Sequence, residues 1–327
     1  MKTVLATLLI SLLVGTGLAA PHAHAAEVTS EAVSFSVVNS NRTLVPCVAD
    51  GRTYQLRGSL VSPASGATGR INVLVHDITA GGWFWHLREH PTYDYASRLA
   101  EQGETSLVLD RLGYDDSPLA NGRRTCLGAQ ATMLHQVVEQ LRRQPGVEEV
   151  VLHGHSVGAA VAELEAATFQ DVEGLVLMSW SDTGASLRAI AEAGKQHTAC
   201  LLSRDGYAPY GATAKDFQAL LFVTAPDDVR STATALRNPD PCGDALSLST
   251  LVVINNLATR LIDVPVLLLF GERDALNRPD ASSWQPLAYS PKAEVTSYVV
   301  PGAGSALPLE ASAPQTRARV LDWLQAM

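Results

Sequence analysis

The sequence predicts an α/β fold: a mostly parallel sheet flanked by helices, with a helical cap inserted late in the chain. Three observations predict it. Short apolar runs rich in valine and leucine alternate with helical stretches through most of the chain, the rhythm of strands covered on both faces. One such run, EVVL at 149–152, leads into Gly154-His155-Ser156-Val157-Gly158 and at once into an alanine-rich helical pattern, giving strand, sharp turn and helix. Finally, the rhythm breaks between residues 181 and 261 into alanine-rich helical pieces and Pro/Gly/Asp turns, as an insertion over the carboxyl ends of the strands would.

A chain of 327 residues, 46% hydrophobic and 17% charged, is long enough for one large domain plus such an insertion. Its net charge of −9 disfavours nucleic acid or an anionic membrane surface as a partner. Residues 1–25 are expected to be a signal peptide. Lys2 precedes an apolar run over 4–18, and Ala23-His24-Ala25 supplies small residues for cleavage near Ala25. That run is too short for a stable membrane span, so the expected location is secreted or periplasmic. Export makes disulfides the expectation for the four cysteines, and the pairing expected is Cys47–Cys126 with Cys200–Cys242, each tying a loop to something firmer. None of the cysteines has zinc-type spacing.

The core is expected over 26–180 and 262–327, and the cap over 181–261. Alternation through Val33, Phe35 and Val37, and again over 54–61, predicts antiparallel opening strands. Buried strands are expected at 71–75, 105–109, 149–152, 174–178 and 264–270, a last strand at 295–300, and helices at 93–102, 129–143 and 316–327. Tyr207, Tyr210, Phe217, Leu220 and Phe222 of the cap are candidates for the apolar walls of a pocket.

The G-x-S-x-G turn needs little bulk on either side of the serine, and it lifts the hydroxyl clear of the sheet at the positive end of a helix. With the cap position and strand rhythm, it makes the chain similar to the α/β-hydrolases of the serine type. Three further stretches carry the resemblance: His76-Asp77-Ile78-Thr79-Ala80-Gly81-Gly82 resembles the oxyanion loop, Asp110-Arg111-Leu112-Gly113-Tyr114-Asp115-Asp116-Ser117 a D-R-x-G-x-G-x-S stretch, and Gly271-Glu272-Arg273-Asp274 a G-x-x-D acid site. The resemblance implies Ser156 as nucleophile, Asp274 as acid, and the Ile78 and Val157 N–H groups as the oxyanion hole.

The chain departs from the family pattern where the base belongs. After the last strand, Pro301-Gly302-Ala303-Gly304 leads to Ser305 where the pattern has histidine, and the last histidine of the sequence is His197. A serine hydroxyl is too weak a base to activate Ser156. Asp77 and Asp115 stand where the pattern has glycine; each is either a carboxylate opposing the oxyanion or a solvated loop residue. His76 and His155 are the nearest substitutes for the base, and Asp182 is the alternative acid.

The resemblance implies an exported esterase, lipase or lactonase-like acyl hydrolase taking a small apolar ester-like ligand, impaired by loss of the histidine. The alternatives are a non-catalytic ligand-binding relative, or a lyase or cyclase using the same pocket. No cofactor and no metal are expected, since neither a phosphate-cradling loop nor a metal-ligand cluster shows in the sequence. The sequence leaves the oligomeric state open.

Overall fold

The computed structural model describes residues 27–327. The expected signal peptide and its cleavage site lie outside the described residues. Two long strands, β1 (Val28–Val38) and β2 (Thr53–Pro63), open the fold as an antiparallel pair, with Phe35 and Val37 turned into the core. The apolar runs then form β3 (Arg70–Val75), β4 (Thr105–Leu109), β5 (Glu149–His155), β6 (Gly174–Met178) and β9 (Val266–Gly271), each wholly or almost wholly buried. The half-exposed strand β10 (Val295–Val300) closes one edge. The sheet order is β1-β2-β4-β3-β5-β6-β9-β10, antiparallel at β1/β2 and β2/β4 and parallel from β4 onward. This is the expected architecture, because apolar strands buried on both faces require helices above and below them.

Those helices are α1 (Tyr95–Ala100), α2 (Leu127–Leu141), α3 (Val157–Phe169) and α9 (Ala313–Ala326). α1 is shorter than the 93–102 expected from the pattern, because Asp94 caps it by accepting from Ser97 N–H at 3.0 Å. Gly103, at φ 93°, turns the chain beyond it. α9 begins before the expected 316, where Pro314 in its first turn starts the helix.

Residues 181–261 carry α4 (Leu187–Leu202), the two-residue strands β7 (Tyr207–Ala208) and β8 (Asp240–Pro241), α5 (Ala214–Leu221), α6 (Asp227–Leu236) and α7 (Cys242–Ala258). The short helix α8 (Ala281–Trp284) follows β9. The end of α7 is pinned to α3, with Asn255 Nδ2 donating to the Ala160 carbonyl at 2.9 Å. Both expected disulfides are present. Cys47–Cys126 holds the β1–β2 connection to the start of α2, Cα atoms 6.1 Å apart, and Cys200–Cys242 holds α4 to the start of α7, Cα atoms 5.3 Å apart. No helix among the described residues is long and apolar enough to cross a membrane.

Candidate active site

The turn from β5 into α3 sets the site. Ser156 sits at φ 48°, ψ −119°, a left-handed conformation that an L side chain adopts only under strain. Its N–H donates to the Met178 carbonyl at 2.8 Å, and its carbonyl opens α3. The flanking glycines are required by contact. A Cβ on Gly158 would lie 2.3 Å from the Val75 carbonyl oxygen, and one on Gly154 2.3 Å from Ala159 Cα. The strand and helix around Ser156 can approach this closely only without side chains at those two positions.

Beside Ser156 the space is filled by a carboxylate. Val157 N–H donates to Asp77 Oδ1 at 2.9 Å, and Asp77 is only 2% exposed. Burial pushes the Asp77 carboxyl up to about 7, against the opposing pull of the Val157 N–H hydrogen bond and of the nearby Arg111 charge. Of the two N–H groups named for the oxyanion hole, that of Val157 is therefore taken by Asp77. Of the two sequence alternatives for Asp77, the solvated loop residue is excluded by its burial. Asp115, by contrast, is exposed and accepts from Asn238 Nδ2 at 2.6 Å, which fits the solvated-loop alternative.

Each candidate histidine has one ring N–H held by a backbone carbonyl. His76 makes a 2.7 Å hydrogen bond through Nδ1 to the Asp77 carbonyl, so that ring N–H donates; Nε2 then accepts from Arg111 N–H at 3.1 Å. His155 donates from Nε2 to the Ser305 carbonyl at 2.9 Å and stacks on Phe84 with ring centroids 4.4 Å apart. Its Nδ1 faces Asp77 Oδ2 at 4.0 Å with no hydrogen-bond partner, and burial holds the ring down to about 4. A ring so hard to protonate is a poor acceptor for the Ser156 proton at neutral pH.

Asp274 lies beyond the end of β9, where it accepts from Leu276 N–H at 2.8 Å and Asn277 Nδ2 at 3.0 Å. Burial raises its carboxyl, opposed by the bonds from Asn277 and Leu276 N–H. The Ser179 hydroxyl donates to the Ser305 carbonyl at 2.8 Å, and Asn277 Nδ2, which holds Asp274, also donates to the Ser179 carbonyl at 2.8 Å, so Asn277 and Ser179 link Asp274 to Ser305. The Ser305 hydroxyl is fully buried and has no hydrogen-bond partner. Asp182, the alternative acid, is held by Trp180 Nε1 at 3.1 Å and Gln285 Nε2 at 3.0 Å, with burial raising its carboxyl.

Sequence reasoning missed Asp240. This buried residue of the 181–261 segment accepts from Thr79 N–H, Gln196 Nε2 and Tyr210 N–H, so it fastens that segment onto the 76–82 loop. Its burial pushes it up to about 8. Nothing at short range marks such a residue, since its partner Thr79 is 161 positions away in sequence.

The model of the alpha/beta hydrolase family matches residues 73–320, most of the chain. The chain belongs to that family. Among solved alpha/beta folds, it resembles a thermophilic esterase from Thermogutta terrifontis at 18% identity and TM-score 0.64, covering 89% of this chain and 98% of that one. It likewise resembles an esterase from Exiguobacterium antarcticum at 15% identity and TM-score 0.63, covering 87% and 98%, and a bromoperoxidase from Bacillus anthracis at 18% and 0.61, covering 88% and 100%. At these identities the likeness is one of fold. No curated protein matches the chain. The fold thus sets Asp77, from the loop after β3, against the turn that carries His155, Ser156 and Val157, with Asn277 and Ser179 linking Asp274 to Ser305.

Proposed function

We propose that this protein is an exported serine-hydrolase scaffold for small apolar ester-like molecules, with Ser156 at the position of attack and acyl transfer held far below a working triad. The reading is supported above all by Asp77. A carboxylate that accepts from Val157 N–H at 2.9 Å engages a donor an oxyanion would need, and when ionised it opposes the charge that forms there. The second support is Ser305, whose buried hydroxyl faces no partner and can take no proton from Ser156 at neutral pH. Loss of the base alone leaves about 10³ to 10⁴ over water in such triads. Export is supported by the two disulfides and by the sequence of residues 1–25.

A second reading, a ligand-binding protein without turnover, is favoured by the same Asp77 contact, because a plugged donor is compatible with binding. The experiment that separates them is p-nitrophenyl acetate and butyrate turnover by the mature chain and by Asp77→Ala/Ser305→His. Under the hydrolase reading, the double variant gains about 10² or more. If both are silent while small esters still raise the melting temperature, the binding reading replaces it.

A further inference from the structure

We propose that His135, Glu165 and Asp171 form a binding site for a divalent cation of the zinc class, joining α2, α3 and the turn that follows α3. The site is independent of the Ser156 chemistry. One ligand atom from each of the three residues lies within 4.8 Å of the others. His135 Nδ1 is 2.7 Å from Asp171 Oδ2 and 3.9 Å from Glu165 Oε1. Tetrahedral ligands at zinc distances stand about 3.3 Å apart, between those two values, so small side-chain shifts bring all three onto one ion.

What points to a ligand is Glu165. It lies on the third turn of α3, it is 0% exposed, and neither of its carboxylate oxygens has a hydrogen-bond partner; Asp171 Oδ1 is likewise without one. A buried carboxylate with no donor is costly, and it is normally resolved by a proton or a cation. Two carboxylates and one imidazole suit zinc better than calcium or magnesium, which prefer oxygen alone. A divalent ion would neutralise the two carboxylates.

The surroundings fit a held ligand set. The His135 ring is fixed by stacking on Phe169, centroids 3.8 Å apart and planes 5° apart, and its Nε2 faces Glu139 Oε1 at 3.8 Å, the outer carboxylate that commonly orients a metal-binding histidine. The nearby charge of Arg142 is taken up by Glu173 at 2.6 Å. Asp171 is only partly buried and leaves a path for the ion and for a water as fourth ligand. Spacings of thirty and six residues between the ligands match no sequence motif for metal, so only packing of α2 on α3 assembles them.

The test is zinc binding by the untagged full chain after chelation, read by isothermal titration and by melting temperature at pH 7.5, with Co²⁺ absorption as a probe of ligand geometry. One equivalent of zinc is expected, with a rise of several degrees that disappears in Glu165→Gln. Affinity should fall as pH falls, because Glu165 must shed its proton to bind. Should Glu165→Gln not fold, Asp171→Asn at the rim serves instead, with a loss of at least about tenfold in affinity. No stoichiometric binding, or binding unchanged in the variant that folds, overturns the site and leaves a carboxyl pair sharing a proton.

Discussion

The backbone N–H of Val157 donates to Asp77 Oδ1 at 2.9 Å, beside the strained turn that presents Ser156. Under the proposed function, the occupied Val157 donor and the serine at position 305 are two separate obstacles to acyl transfer. Turnover of p-nitrophenyl butyrate by three variants distinguishes them. Ser305→His alone is expected to gain less than Asp77→Ala/Ser305→His, since only the latter frees the Val157 N–H. Asp77→Asn/Ser305→His should gain less than Asp77→Ala/Ser305→His, because the neutral amide removes the charge but its oxygen still accepts from Val157. Equal rates in the Ala and Asn double variants would refute the plug.

Stability should fall as pH rises from 6.5 to 8.5. Burial pushes Asp77 and Asp110 up to about 7 and Asp240 up to about 8. In the unfolded chain such carboxyls ionise near pH ~4, so in this range the folded state keeps protons that the unfolded state has lost, and rising pH favours unfolding. His153 and His155, held down to about 3 and about 4, have the opposite effect, but only below about pH 6.5, where the unfolded chain takes up their protons. A melting temperature that is flat or rising between pH 6.5 and 8.5 would contradict these assignments.

Reduction should destabilise the fold at two places. Cys47–Cys126 and Cys200–Cys242 span 79 and 42 residues, and loops of that size correspond to about 4 kcal/mol each in the chain-entropy view. Urea unfolding of Cys47→Ser/Cys126→Ser and of Cys200→Ser/Cys242→Ser should each show a loss of about 2–5 kcal/mol. The second pair is expected to loosen α4 first, since it anchors that helix to α7.

Asp244→Ala should cost about 3–5 kcal/mol, because it leaves the buried Arg111 guanidinium, 3.0 Å from the Asp244 carboxylate, without its counter-charge. Arg111 also donates to the His76 carbonyl at 3.2 Å, so the loss should be felt at the 76–82 loop. Amide exchange of Ile78 should rise more than that of Leu107 in the middle of β4. Equal change at both sites would mean that the pair stabilises the fold without ordering the loop.

Unlike the order of the strands in the sheet, the strands and their mostly parallel class, the turn at Ser156 and both disulfide pairings are legible in the sequence. Each has a local cause: a run of apolar residues buried on both faces, glycines where no Cβ fits, and cysteines on connections that must be held. The absence of a histidine after Asp274 was equally plain, being a matter of residue identity alone. What tertiary structure decided is where charge is buried. Asp77 was ambiguous until its carboxylate was seen turned onto Val157, and His155 until its ring nitrogens were seen committed to Ser305 and turned toward Asp77. Asp240 and the cluster of His135, Glu165 and Asp171 gave no local signal at all. Hydrophobic period and turn chemistry act over a few neighbouring residues and can be read along the chain. The environment of a buried polar group is set by residues far apart in sequence, and only packing brings them together.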